Sequence, residues 1–83
     1  MFDVKLSPKA VKELQALALK DQKRVVKSLV GLSADPFVGK KLKGKFRPYY
    51  SLRIWPYRII YAVQKKELLV IVIRIGPRKD VYK

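Results

Sequence analysis

The stretch Tyr50-Ser51-Leu52-Arg53-Ile54-Trp55-Pro56-Tyr57-Arg58-Ile59-Ile60-Tyr61-Ala62-Val63 decides the fold. Its β-branched and aromatic residues suit a pleated, half-buried surface, and Trp55-Pro56 divides it into two strands joined by a short hairpin loop. Alternation along the first strand sets Tyr50, Leu52 and Ile54 on one face and Tyr49, Ser51 and Arg53 on the other. The apolar set is predicted to lie against helices, and the polar set on an open face. With a two-residue loop, Arg53 stands opposite Arg58. Like charges directly across a strand pair destabilise it unless something anionic joins them. Arg58 is followed by Ile59 and Ile60, and an arginine in an apolar strand needs an anionic partner or an open side.

Towards the C-terminus, the loop Gln64–Glu67 leads to a third strand, Leu68 to Ile75, apolar on both faces for most of its length. That is the pattern of a central strand. Arg74 interrupts it, and the parity of the preceding loop leaves its face open. Gly76-Pro77 then forces a turn into Arg78, Lys79 and Tyr82. Such a tail either frays or folds over the open face to complete a site.

Towards the N-terminus, residues 38–47 carry Lys40, Lys41, Lys43, Lys45 and Arg47 among glycines, with little to bury. The run reads either as a solvated loop or as one that tracks a phosphate backbone. Before it, Val25, Val26, Leu29 and Val30 form an apolar helical stripe with Asp21 as its cap, and Asp35-Pro36 closes the helix. A first helix starts at Ser7-Pro8 and presents Val11, Leu14, Leu17 and Ala18 to the core. Phe2, Val4 and Leu6 alternate with polar residues as a short strand. The order predicts a single domain, 1–83, of α+β class. Its N-terminal strand and two-helix hairpin pack on one face of an antiparallel sheet of about four strands.

The 83 residues carry 20 Lys and Arg against 6 Asp and Glu, a formal charge of +14. Solubility needs a net charge of only about 2–8 on a small domain, so the excess predicts a polyanionic partner. Nucleic acid ranks first, an acidic protein second and an anionic membrane third. The absence of cysteine and histidine removes disulfides, thiol nucleophiles, imidazole bases and the usual zinc sites. Neither a membrane-spanning run nor a signal-peptide layout is present, so the expected location is the cytoplasm, with no metal or cofactor.

Tyr-Arg-Ile-Ile-Tyr at 57–61 and Arg-Ile-Gly-Pro-Arg-Lys-Asp-Val-Tyr at 74–82 resemble the RelE/ParE toxin superfamily. The likeness extends to the Ser7-Pro8 helix start and to Lys41-Leu42-Lys43-Gly44, covering nearly the whole chain. It implies the toxin of a type II toxin–antitoxin pair, held inactive by an antitoxin with an acidic and apolar segment. RelE-type members are metal-independent endoribonucleases that cut mRNA, commonly in the ribosomal A site. ParE-like members instead inhibit DNA gyrase without chemistry of their own. On the RelE pattern the catalytic residues are Arg58, Arg78, Tyr82 and Arg53. Contacts to RNA fall to Ser51, Lys41, Lys43, Lys45, Arg47, Arg74 and Lys79. Where well-studied members carry two lysines on the preceding strand, this chain has Ser51 and Arg53. Pro77 stands where histidine or lysine is frequent.

Overall fold

The computed structural model describes residues 1–46 and 48–77. The elements run β1 (Asp3–Leu6), α1 (Pro8–Gln15), α2 (Leu19–Ala34), β2 (Lys40–Lys41), a 3-10 turn (Gly44–Phe46), β3 (Tyr50–Ile54), β4 (Tyr57–Gln64) and β5 (Leu69–Pro77). They form a two-layer α+β fold with two helices on a five-stranded sheet of order β1-β5-β4-β3-β2.

β5 has a hydrogen-bonded neighbour on each side, as its two apolar faces predict. The sheet is mixed, because β1 pairs parallel to β5 with Val4 beside Val70 and Leu6 beside Val72. Parallel neighbours need a long connection, and here the two helices and the strands β2 to β4 lie between them. The fifth strand is the two-residue β2, which pairs antiparallel to β3. Its Lys-Lys sequence has no strand composition, so only the pairing identifies it.

The core lies between the layers. Ala10, Val25, Leu29 and Leu32 from the helices meet Ile59, Tyr61, Val70, Val72 and Ile75 from the sheet, all of them buried. Tyr50, Leu52 and Ile54 pack against this cluster, as their shared face predicts. The helix stripes differ from expectation. Val26 and Val30 are 46% and 64% exposed, whereas Leu32 is fully buried. A helix on one sheet buries a narrow stripe, and the spacing 25, 29, 32 follows it more closely than 25, 26, 29, 30. On α1, Ala10 takes the central position and Val11 turns outward.

Ser7 caps α1, accepting from the Ala10 N–H at 3.0 Å while its own hydroxyl donates to the Ile73 carbonyl at 2.9 Å. Asp21 is not the cap of α2; that position is Ala18, and Asp21 sits in the first turn. There its carboxylate favours the positive end of the helix. It accepts from the Tyr57 hydroxyl at 2.9 Å, which raises the Tyr57 phenol above its ordinary pKa, and pairs with Arg24 at 3.3 Å. Arg24 also donates to the Trp55 carbonyl at 2.8 Å. The start of α2 thus holds the tip of the β3–β4 hairpin, whose Trp55-Pro56 peptide is cis.

A β-bulge in β5 settles the face of Arg74. Ile60 pairs with Arg74 but Tyr61 pairs with Val72, so Ile73 is the extra residue. Simple alternation after Val70 and Val72 would bury Arg74 in the core. The inserted residue re-aims the strand, so Ile75 enters the core and Arg74 faces away.

Candidate nucleic-acid interface

β3 and β4 pair as a two-residue hairpin predicts, with Arg53 opposite Arg58 and Ser51 opposite Ile60. On the outer side of β3, Lys40 of β2 stands opposite Ser51. Arg53 and Lys40 are exposed, while Arg58 is half-buried. The Arg58 guanidinium leans along the sheet and donates to the Ser51 hydroxyl at 3.2 Å. These side chains, with Val38, Gly39 and Leu42, line a pocket of about 460 Å³. No carboxylate lines this pocket among the described residues.

The sheet face away from the helices is not bare at its centre, contrary to expectation, since Ser51 and Ile60 are each only 3% exposed. The Arg58 side chain crossing to Ser51 accounts for part of that shielding. Its Nε is buried without a hydrogen-bond partner among the described residues. A guanidinium nitrogen withdrawn from water and left without an acceptor is costly, and an anionic oxygen is the acceptor that satisfies it most strongly. Arg53 facing Arg58 across the strand pair adds charge of the same sign at the same place.

Gly39 forms the opposite wall. A Cβ there would collide with the Tyr61 hydroxyl and stand 2.9 Å from the Ser51 carbonyl oxygen, so only glycine lets this loop approach the strand. The Tyr61 hydroxyl donates to the Pro36 carbonyl at 2.8 Å and accepts from the Gly39 N–H at 3.1 Å. Burial pushes the Tyr61 phenol above its usual pKa, and the Gly39 N–H draws it partly back. Tyr61 is fully buried and so ties the pocket wall to the core. A tyrosine within an apolar strand signals such a tether, because its hydroxyl needs a buried partner.

The predicted site residues divide accordingly. Arg53, Arg58 and Ser51 come together. Lys41 lies opposite Tyr50 and therefore on the helix-side face, away from Ser51. Lys43 and Lys45 are exposed on the segment beyond β2. Arg74 is engaged elsewhere: its Nη2 lies 3.0 Å from the Glu13 carboxylate of α1, and its Nε donates to both Glu13 oxygens at 3.2 and 3.1 Å. The Glu13 carboxylate also accepts from the Ile75 N–H at 2.9 Å, serving the edge of β5 beyond the end of β1. Arg47, Arg78, Lys79 and Tyr82 lie outside the described residues. Lys40 is the functional candidate that sequence reading missed. The signal is its pairing with Ser51, visible only once β2 is placed beside β3.

The helix-backed sheet thus carries a basic pocket in which the Arg58 Nε has no hydrogen-bond partner among the described residues. The chain matches, over residues 4–82, the family described as the ParE toxin of the type II toxin–antitoxin system. It is 29% identical to Toxin RelG of Mycobacterium tuberculosis, with 99% of this chain and 97% of that protein covered. Among solved structures it is similar to a chain of the M. tuberculosis RelBE2 toxin–antitoxin complex, with a TM-score of 0.87 and 26% identity, covering 93% of this chain and 98% of that one. The isolated Escherichia coli RelE toxin superposes with a TM-score of 0.82 and 26% identity, covering 99% and 92%. A chain of the Pyrococcus horikoshii RelE–RelB complex gives 0.82 and 26%, covering 95% and 97%. This protein belongs to the RelE/ParE superfamily of type II toxin–antitoxin toxins.

Proposed function

We propose that this toxin is an endoribonuclease that cleaves mRNA through attack of a ribose 2′-hydroxyl on the adjacent phosphorus. The observation that carries the reading is the Arg58 guanidinium, whose buried Nε lacks a partner among the described residues and which faces Arg53 across the hairpin. Its likeness to RelE-type toxins supports the same assignment.

In this reaction the 2′-oxygen bonds to phosphorus, the bond to the 5′-oxygen breaks, and the products are a 2′,3′-cyclic phosphate and a 5′-hydroxyl. One proton leaves the 2′-hydroxyl and one reaches the departing 5′-oxygen. RNA supplies the nucleophile, so the protein must hold the phosphate, neutralise the phosphorane and manage two protons. Arg58 and Arg53 do the second task, because fixed donors aimed at developing negative charge act strongly in a partly desolvated site. Lys40, opposite Ser51, supplies the ammonium that Ser51 lacks and holds the scissile phosphate from the β2 side. Arginine stays protonated and does not serve as base. With no lysine at 51 or 53, Tyr82 is the candidate for that task, and Arg78 is a further phosphate ligand.

The antitoxin complexes of RelE-type relatives support a cognate antitoxin for this chain, with acidic groups to meet the basic pocket. No helix among the described residues is long and apolar enough to cross a membrane. Action on mRNA places the toxin in the cytoplasm. Induced expression tests the reading. Wild type should arrest growth and Arg58→Ala should not, at equal soluble yield; arrest by the Arg58→Ala variant would defeat the proposed site.

A further inference from the structure

A second pocket opens on the helix-side face of the same sheet edge, with a volume of about 560 Å³. Phe37 and Tyr50 form its wall, and Lys41, Lys65 and Lys66 surround it. Phe37 is 42% exposed and meets the Tyr50 ring edge-on at 5.8 Å. Tyr50 stacks flat on the buried Tyr61 at 5.5 Å, so the wall is backed by the core and rigid. The Lys65 ammonium sits 5.3 Å from the centre of the Phe37 ring. Gln64 and Glu67 also line the pocket and offer acceptors to a base edge.

Charge at an edge strand guards against pairing with other sheets, and that alone would explain Lys40 and Lys41. It does not explain two further lysines brought by the β4–β5 turn to the same exposed aromatic wall. Aromatic rings that accept bases, beside cations that accept phosphates, are the combination that binds single-stranded nucleic acid.

β2 joins this pocket to the first. Consecutive strand residues point to opposite faces, so Lys40 stands beside Ser51 in the Arg58 pocket while Lys41 stands beside Tyr50 in the second. A strand leaving the Arg58 pocket needs only to pass over this two-residue edge strand, with a lysine on each side.

We propose that Phe37, Tyr50, Lys41, Lys65 and Lys66 form a second RNA subsite, which holds nucleotides flanking the phosphate bound at Arg58. The bases lie against the aromatic wall and the phosphates on the lysines. The inference rests on the RNA reading of the Arg58 pocket and adds the path that the strand takes from it.

Fluorescence anisotropy with the full chain tests this, using a labelled trinucleotide and a labelled dodecamer of single-stranded RNA at low salt. Lys65→Glu/Lys66→Glu should weaken the dodecamer about tenfold or more and flatten its log–log salt slope by about 1.4, leaving the trinucleotide within about twofold. Phe37→Leu should weaken the dodecamer several-fold, about 1 kcal/mol of stacking or more, with its salt slope unchanged. Circular dichroism of each variant checks that the fold is kept. Equal weakening of both RNAs by the lysine variant would reduce the patch to long-range charge, and no weakening of either would remove it; both results overturn the subsite. Arg58→Ala should weaken both RNAs. If it weakens neither while the lysine variant still loses the dodecamer, the Arg58 reading fails and the aromatic subsite stands.

Discussion

Glu13→Ala should cost this protein about 2–4 kcal/mol, more than the loss of its partner Arg74. The carboxylate accepts from the Arg74 guanidinium and from the Ile75 N–H at 2.9 Å, with the two side chains only 21% and 15% exposed. Removing one partner from a buried pair costs about 3–5 kcal/mol, because the remaining charge loses its counter-charge. The residual exposure of both groups lets water take up part of that loss and lowers the figure. Removing Glu13 also orphans the Ile75 N–H at the edge of β5, where β1 no longer runs alongside. Arg74→Ala leaves that amide bond intact and should cost about 1–2 kcal/mol, as for loss of a hydrogen bond to a charged group. The double variant should then show a coupling of about 1–2 kcal/mol between the two positions. At about 4–8 °C per kcal/mol for a domain of this size, Glu13→Ala should melt roughly 8–32 °C below wild type. Urea denaturation of the four species, followed by circular dichroism, measures all three quantities. A Glu13→Ala cost under about 0.5 kcal/mol, or an Arg74→Ala cost larger than that of Glu13→Ala, would refute the argument.

Gly39→Ala should destabilise by about 1–3 kcal/mol, because the new methyl meets the Tyr61 hydroxyl and the Ser51 carbonyl, neither of which has room to withdraw. Since that loop is a wall of the Arg58 pocket, RNA binding should fall with it, as anisotropy would report. Leu32→Ala should cost about 2–5 kcal/mol and Val30→Ser less than about 0.5, reversing the ranking that the periodic stripe suggests. Urea midpoints of the two variants decide between the stripes.

The hairpin was legible because its information is local. Two strands of alternating character flank Trp55-Pro56, and once that loop holds two residues the opposition of Arg53 and Arg58 follows. β5 announced itself as central by being apolar on both faces. Arg74 was not legible, since one bulged residue at Ile73 shifts the register and nothing in a run of Val and Ile marks which residue is extra. β2 and Lys40 were hidden in a basic run whose strand character exists only through its pairing with Ser51 and Tyr50. Leu32 was missed because it falls where the helix was expected to fade. Asp21 has a cap's chemistry but lies three residues into the helix, where Tyr57 and Arg24 engage it. The grouping of Ser51, Arg53 and Arg58 could be read from alternation and register. The wall that Gly39 and Tyr61 build against them depends on a close approach between distant segments, which no local pattern encodes.

Primer extension on cellular mRNA after a short pulse of expression tests the central claim most directly, comparing wild type with Arg58→Ala. The account predicts new 5′ ends within translated messages for wild type and their disappearance in the variant. Intact transcripts in growth-arrested wild-type cells would contradict it, and would make the Arg58 pocket a binding surface for another target.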